Sequence, residues 1–121
     1  MLRCISAVTL ATPDMAASVS FYQRIGFRLL YGGTGAAFSS FEVGDGFLNL
    51  QSAGGSPGSG PPWGRVIFWV DDVDAAYTRV REAGFSPEGA PSDAPWGERY
   101  FHVRDPAGHE LSFAAPLEPS D

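Results

Sequence analysis

Two segments of this chain carry the same helix signals at a constant offset of 58 residues. The first is "TPDMAASVSFYQRIGF", with Thr12 as candidate N-cap, Pro13 at the first helical position and Gly26 as the stop. The second is "DDVDAAYTRVREAGF", with Asp72 as N-cap and Gly84 as the stop. Asp14 and Asp72, Ala17 and Ala75, and Phe27 and Phe85 fall in register. Self-similarity over half a chain points to one supersecondary unit used twice.

Strand-like runs surround each helix. "ISAVTLA" precedes the first; "FRLLY", "AAFSSFEV" and "FLNLQ" follow it, the last two joined by "GDG". "RVIFWV" precedes the second helix. A weak strand near Phe85 to Gly89, then "ERYFHVR" and "HELSFA", follow it, with "DPAG" as the hairpin turn. Each half therefore reads β-α-β-β-β. Module one covers about 1–51, a Gly/Ser/Pro linker covers 52–62 and module two covers about 63–117. The fold class expected is α+β in a single domain, as 121 residues suggest.

The net charge of −6 argues against nucleic-acid and anionic-membrane partners. A lone cysteine, Cys4, leaves no internal disulfide or multi-cysteine zinc site and fits a reducing, cytoplasmic compartment. The apolar start "MLRCISAVTLA" is short and interrupted by polar residues, so it reads as the first strand rather than a signal peptide. No apolar run is long enough to span a bilayer. Nine phenylalanines and three tryptophans exceed what a small core needs, and the excess can line a pocket.

Three motifs tie this pattern to a known group. They are "D-M-x-x-S-x-x-F-Y-x-x-x-G-F" at the first helix, "V-D-D-V-D-A-A-Y" at the second, and the closing "W-G-x-R-Y-x-x-x-x-D-P-x-G-x-x-x-x-F". Together they resemble the vicinal oxygen chelate superfamily, the glyoxalase/bleomycin resistance/dioxygenase group. The resemblance implies two βαβββ modules whose curved mixed sheets surround a cleft, with helices outside and homodimers common. It does not imply one function, because the group holds isomerases, dioxygenases, thiol transferases and metal-free drug-binding proteins.

Strand alternation assigns faces. Val8 and Leu10, Leu48 and Leu50, Val66, Phe68 and Val70, and Leu111 and Phe113 form the most uniformly apolar sets, so they are expected against the helices. The opposite sets then face the cleft: Ile5, Ala7 and Thr9; Phe47, Asn49 and Gln51; Arg65, Ile67 and Trp69; Glu110 and Ser112. The simplest register across "DPAG" pairs His102 with Leu111 and Phe101 with Ser112. It turns Arg99, Phe101 and Val103 to the cleft, and His102 and Arg104 to the helix side.

Metal-using members of the group take His and carboxylate ligands from four strand positions, which match Ala7, Asn49, Arg65 and Ser112 here. Alanine cannot ligate, arginine stays protonated, and asparagine and serine are weak donors. No metal or other cofactor is therefore expected. The resemblance instead implies a stacking role for Trp96. With Trp69, Arg65, Arg99, Phe101, Phe47, Asn49 and Ser112 it makes up the expected ligand-binding set; Phe38, Phe41 and Trp63 are further candidates. Arg65 breaks an apolar strand and needs a partner: Glu42, Glu98, Glu110 or a ligand carboxylate. The leading expectation is metal-free binding of a planar or aromatic small molecule, as in antibiotic sequestration. The alternative is a glyoxalase- or dioxygenase-like enzyme with a relocated metal or a metal-independent acid–base site, with Glu110, at the rim, the catalytic candidate. Ligand charge stays open, since inward arginines suit an anion and the acidic balance suits a cation.

Overall fold

The computed structural model describes residues 1–54 and 65–117. The elements run β1 (Ala7–Thr12), α1 (Met15–Arg24), β2 (Arg28–Tyr31), β3 (Phe38–Val43), β4 (Gly46–Ser52), β5 (Arg65–Trp69), α2 (Val73–Glu82), β6 (Ser92–Ala94), β7 (Glu98–Arg104) and β8 (Glu110–Pro116). The expected β-α-β-β-β order thus occurs twice. Two elements sit elsewhere than anticipated. The strand expected near Phe85 to Gly89 is β6, and β4 runs on into the expected linker as far as Ser52. Most of that linker, with Trp63, lies outside the described residues.

The chain divides into two compact units, Met1–Gly60 with Pro106–Gly108, and Pro61–Asp105 with His109–Asp121. Each holds a four-stranded mixed sheet of one topology. The orders are β1-β4-β3-β2 and β5-β8-β7-β6. In both, the first and last strands of the module pair in parallel and the remaining neighbours are antiparallel.

The helix ends show the duplication atom by atom. Asp14, rather than Thr12, caps α1: its carboxylate accepts from the Ala17 N–H at 3.0 Å. Asp72 accepts from the Ala75 N–H at 3.0 Å in α2. Thr12 acts one step earlier, accepting from the Asp14 N–H at 3.1 Å and lying 2.7 Å from Ser18 Oγ. Both helices stop at a left-handed glycine, Gly26 (φ 111°) or Gly84 (φ 93°). The next residue folds back: Phe27 N–H donates to Tyr22 O and Phe85 N–H to Val80 O, at 2.9 and 3.2 Å. A side chain with a Cβ is disfavoured at such a φ, which makes glycine the natural stop.

One sheet face in each unit is apolar and buried. In the first unit Leu10, Leu48, Leu50 and Phe41 are each at most 2% exposed, with Val19 and Tyr22 of α1. Tyr22 contacts the Phe27 and Phe41 rings at 5.1 and 5.5 Å. In the second unit the buried set is Phe68, Val73, Val80, Phe101, Val103, Leu111 and Phe113. Phe113 stacks on Phe68 and Phe101 at 5.4 and 5.3 Å, and Tyr77 of α2 meets Phe101 edge-on at 5.5 Å. Each of these large side chains stabilises by roughly 1.5–3 kcal/mol through burial.

The β7–β8 register corrects the expected facing. His102 lies opposite Ser112, Phe101 opposite Phe113 and Val103 opposite Leu111. The hairpin closes one residue later than the simplest turn allows: Asp105 N–H donates to His109 O at 2.9 Å, and Gly108 adopts φ 91°. That is a three-residue loop ending in a left-handed glycine. One residue of slip turns every side chain of a strand over. Phe101 and Val103 therefore join the core, while Glu98, Tyr100, His102 and Arg104 take the other face. This choice gathers four apolar residues on one side, which the simplest register would have split.

Candidate binding groove

The outer face of the second sheet carries a cavity of about 200 Å³. Arg65, Ile67, Trp96, Glu98, Tyr100, His102, Ser112 and Ala114 line it. The register explains its shape. The central strand β8 offers only Ser112 and Ala114, buried at 3% and 2% exposure. The flanking strands carry larger groups: Ile67 lies beside Ser112 and Trp69 beside Ala114 on one side, His102 and Tyr100 on the other. Small residues between large ones make a floor with two walls. Neighbouring strands lie about 4.8 Å apart, so the backbones of the two strands that bear the walls stand roughly 9.6 Å apart across β8. A flat ring needs about 3.5–4.0 Å to the carbons on each side, so one planar group fits between them.

The wall on the β7 side carries three aromatic rings. Trp96 stacks on Tyr100 with centroids 6.1 Å apart and planes 23° from parallel, and Tyr100 meets His102 at 5.0 Å. Large apolar surface stays in solvent here: Ile67, Trp69 and Trp96 are each at least 60% exposed. Trp69 continues the same face beyond the cavity lining.

Four polar groups gather at one end: Arg65, Glu110, His102 and Ser112. Arg65 and Glu110 are direct cross-strand partners, and the guanidinium donates from Nε to Glu110 Oε1 at 2.8 Å, with Nη2 on the same oxygen. Glu110, expected as a solvated rim charge, is 8% exposed. Its partner holds it there, because a buried carboxylate needs one. Ser112 Oγ lies 2.5 Å from His102 Nδ1. Burial, then the nearby Arg65 charge, push the His102 pKa below its ordinary value. The imidazole is therefore neutral at pH 7.

Of the expected ligand-binding residues, the structure gathers Arg65, Trp96 and Ser112 in this groove, with Trp69 beside it. Arg99 and Phe101 are elsewhere. Phe101 is core, and Arg99 reaches across the opposite face to Asp74 of α2 and Asp93 of β6, at 2.9 and 2.8 Å. Phe47 and Asn49 belong to the first unit, where Phe47 is 45% exposed and Asn49 donates to Thr9 Oγ1 at 3.3 Å. Phe41 is core, and Phe38 packs near Tyr31 at 6.4 Å. Glu98, Tyr100, His102 and Ala114 were missed, all but Ala114 through the register error. The alternation of Phe101 and Val103 with Leu111 and Phe113 was the signal that could have found them.

The metal positions implied by the resemblance do not suit a divalent ion. Ala7 has no donor atom, and Arg65 places a fixed positive charge, already tied to Glu110, where a ligand would be. Among the described residues no three His, Cys, Asp or Glu side chains converge.

Residues 5–113 match the Glyoxalase/Bleomycin resistance protein/Dioxygenase superfamily. The chain belongs to that superfamily. An uncharacterized protein of Mycobacterium tuberculosis is 38% identical over 70 residues, covering 58% of this chain and 38% of that one. The chain thus spans about two-fifths of the length of the first curated relatives it matches. Two solved structures are similar across nearly the full chain. A glyoxalase/bleomycin resistance protein/dioxygenase from Nocardioides has a TM-score of 0.79 at 25% identity, covering 100% of this chain and 88% of that one. TioX from Micromonospora sp. ML1 has a TM-score of 0.75 at 32% identity, covering 92% and 97%. No helix among the described residues is long and apolar enough to cross a membrane.

Proposed function

We propose that this superfamily member binds a small planar molecule in the groove of its second module without a metal, and acts by sequestration, as an antibiotic-resistance protein would. The observation that carries this is the floor of Ser112 and Ala114 between walls spaced for one ring, one wall being the Trp96–Tyr100–His102 series. Stacking on exposed aromatic faces gives affinity for flat molecules and needs no reacting group. His102 and Ser112 supply hydrogen bonds at the floor that orient the ring. A cavity of about 200 Å³ is smaller than drug-sized pockets of roughly 300–1,000 Å³, which favours a compact ring system. The superfamily's metal chemistry has no place in this reading, because Ala7 and Arg65 stand at two of its ligand positions.

Equilibrium dialysis against a panel of two- and three-ring heteroaromatic compounds tests it. Retention of one compound at one per groove, weakened at least fivefold by Trp96→Ala, supports the reading. Failure to retain any compound, or one equivalent of tightly bound metal lost on His102→Ala, refutes it.

A metal-independent acid–base enzyme is the second reading, and His102 favours it. A neutral imidazole in a cavity, hydrogen-bonded to a serine, is a competent general base. Deuterium uptake from solvent beside a substrate carbonyl, abolished by His102→Gln, would identify that activity.

A further inference from the structure

The groove's charges are not equivalent, and their pairing specifies ligand charge. Arg65 is compensated: its Nε and Nη2 both serve Glu110. The exposed arginine Arg104, on the same face of β7, pairs with Glu88 at 3.3 Å. His102 is neutral at pH 7. Arg99 is committed to Asp74 and Asp93 on the opposite face. Glu98 differs. It lines the cavity, is half-buried, and its carboxylate has no ion-pair or hydrogen-bond partner among the described residues. It sits four residues from His102 along β7, roughly 13 Å at strand rise, at the end where Trp96 stacks on Tyr100. One uncompensated carboxylate beside two aromatic faces is a site for an organic cation, held by charge and by cation–π contact. The cue from an inward arginine, which suggested an anion, is cancelled by Glu110.

Resting on the binding reading above, we infer that the groove selects planar molecules bearing a positive charge, with the cationic group at Glu98 and Trp96 and the uncharged edge toward His102 and Ser112. Amino-substituted or protonated heteroaromatic rings are the chemical class. A planar carboxylate meets Glu98 unfavourably and finds Arg65 already occupied.

Three probes of one ring system and different charge isolate the point. At about pH 8 proflavine is a cation, acridine is neutral and acridine-9-carboxylate is an anion. Equilibrium dialysis at low salt gives each affinity. Proflavine is expected to bind about tenfold more tightly than acridine, and the carboxylate more weakly than both. Glu98→Gln should bring the proflavine-to-acridine ratio down to about one. Glu82→Gln, an exposed change on α2 that alters net charge equally, should leave the ratio intact. Raising the salt should shrink the ratio, as screening requires. Equal binding of acridine and proflavine, tightest binding of the carboxylate, or a ratio unmoved by Glu98→Gln would overturn the charge assignment while leaving the groove as a binding site. Retention of none of the three would remove both readings together.

Discussion

Phe101→Ala separates the observed register from the simplest hairpin more sharply than any other change. In the observed register Phe101 is 2% exposed, stacked on Phe113 and edge-on to Tyr77. Truncating a phenylalanine at such a site costs about 3–5 kcal/mol, from lost transfer energy and the cavity left behind. The unfolding entropy of a globular chain is about 2.1 cal/mol/K per residue, so 121 residues give about 0.25 kcal/mol/K. The melting temperature should therefore fall by roughly 12–20 °C. Urea unfolding should show the midpoint falling with little change in slope. His102→Ala, one residue along and on the other face, should cost far less stability and alter ligand retention. A loss below about 1 kcal/mol for Phe101→Ala, with ligand binding impaired instead, would mean that β7 is turned the other way. The groove described above would then not exist.

Four further outcomes follow from the same geometry. Arg65→Gln leaves Glu110 buried without its partner and should cost about 1–3 kcal/mol, of which Arg65→Gln/Glu110→Gln recovers a large part in urea unfolding. NMR titration of the His102 ring should give a midpoint below the ordinary value of about 6.5; because the unfolded chain takes up this proton first, His102 lowers stability as pH falls below about 6.5 and not above it. Hydrogen bonding from Arg99 holds the Asp74 carboxyl below its usual range, so the midpoint difference between wild type and Asp74→Asn should be constant near neutrality and close as pH falls below about 4. Gly32→Ala should destabilise by at least ~1–3 kcal/mol, since φ is +83° and a Cβ would sit 2.2 Å from Phe38 O.

The helices and most strands were legible because their signals are local. Caps, stops and alternation are written within a few residues, and the offset between Asp14 and Asp72 exposes the duplication. The groove depended on the parity of β7, which is set non-locally. "DPAG" reads as a two-residue turn, but Gly108 closes a three-residue one, and the burial of Phe101 and Val103 decides between them. Glu98 and His102 were hidden by that single step. The partner of Arg65 was open in sequence because three glutamates and a ligand carboxylate were all available. Only the parallel pairing of β5 with β8 brings Glu110 beside it.

The two modules share a ladder but fill its outer face oppositely. In β5 and β8 the flanking pair is Ile67 and Trp69 and the centre is Ser112 and Ala114; in β1 and β4 the flanking pair is Thr9 and Ala11 and the centre is Asn49 and Gln51. On these strands small residues lie beside large ones in one copy and long polar side chains lie beside small ones in the other, over the same buried apolar side. Alternation makes the two sides of each strand separately editable. A duplicated scaffold of this kind can acquire a new specificity in one half while the other half keeps its own.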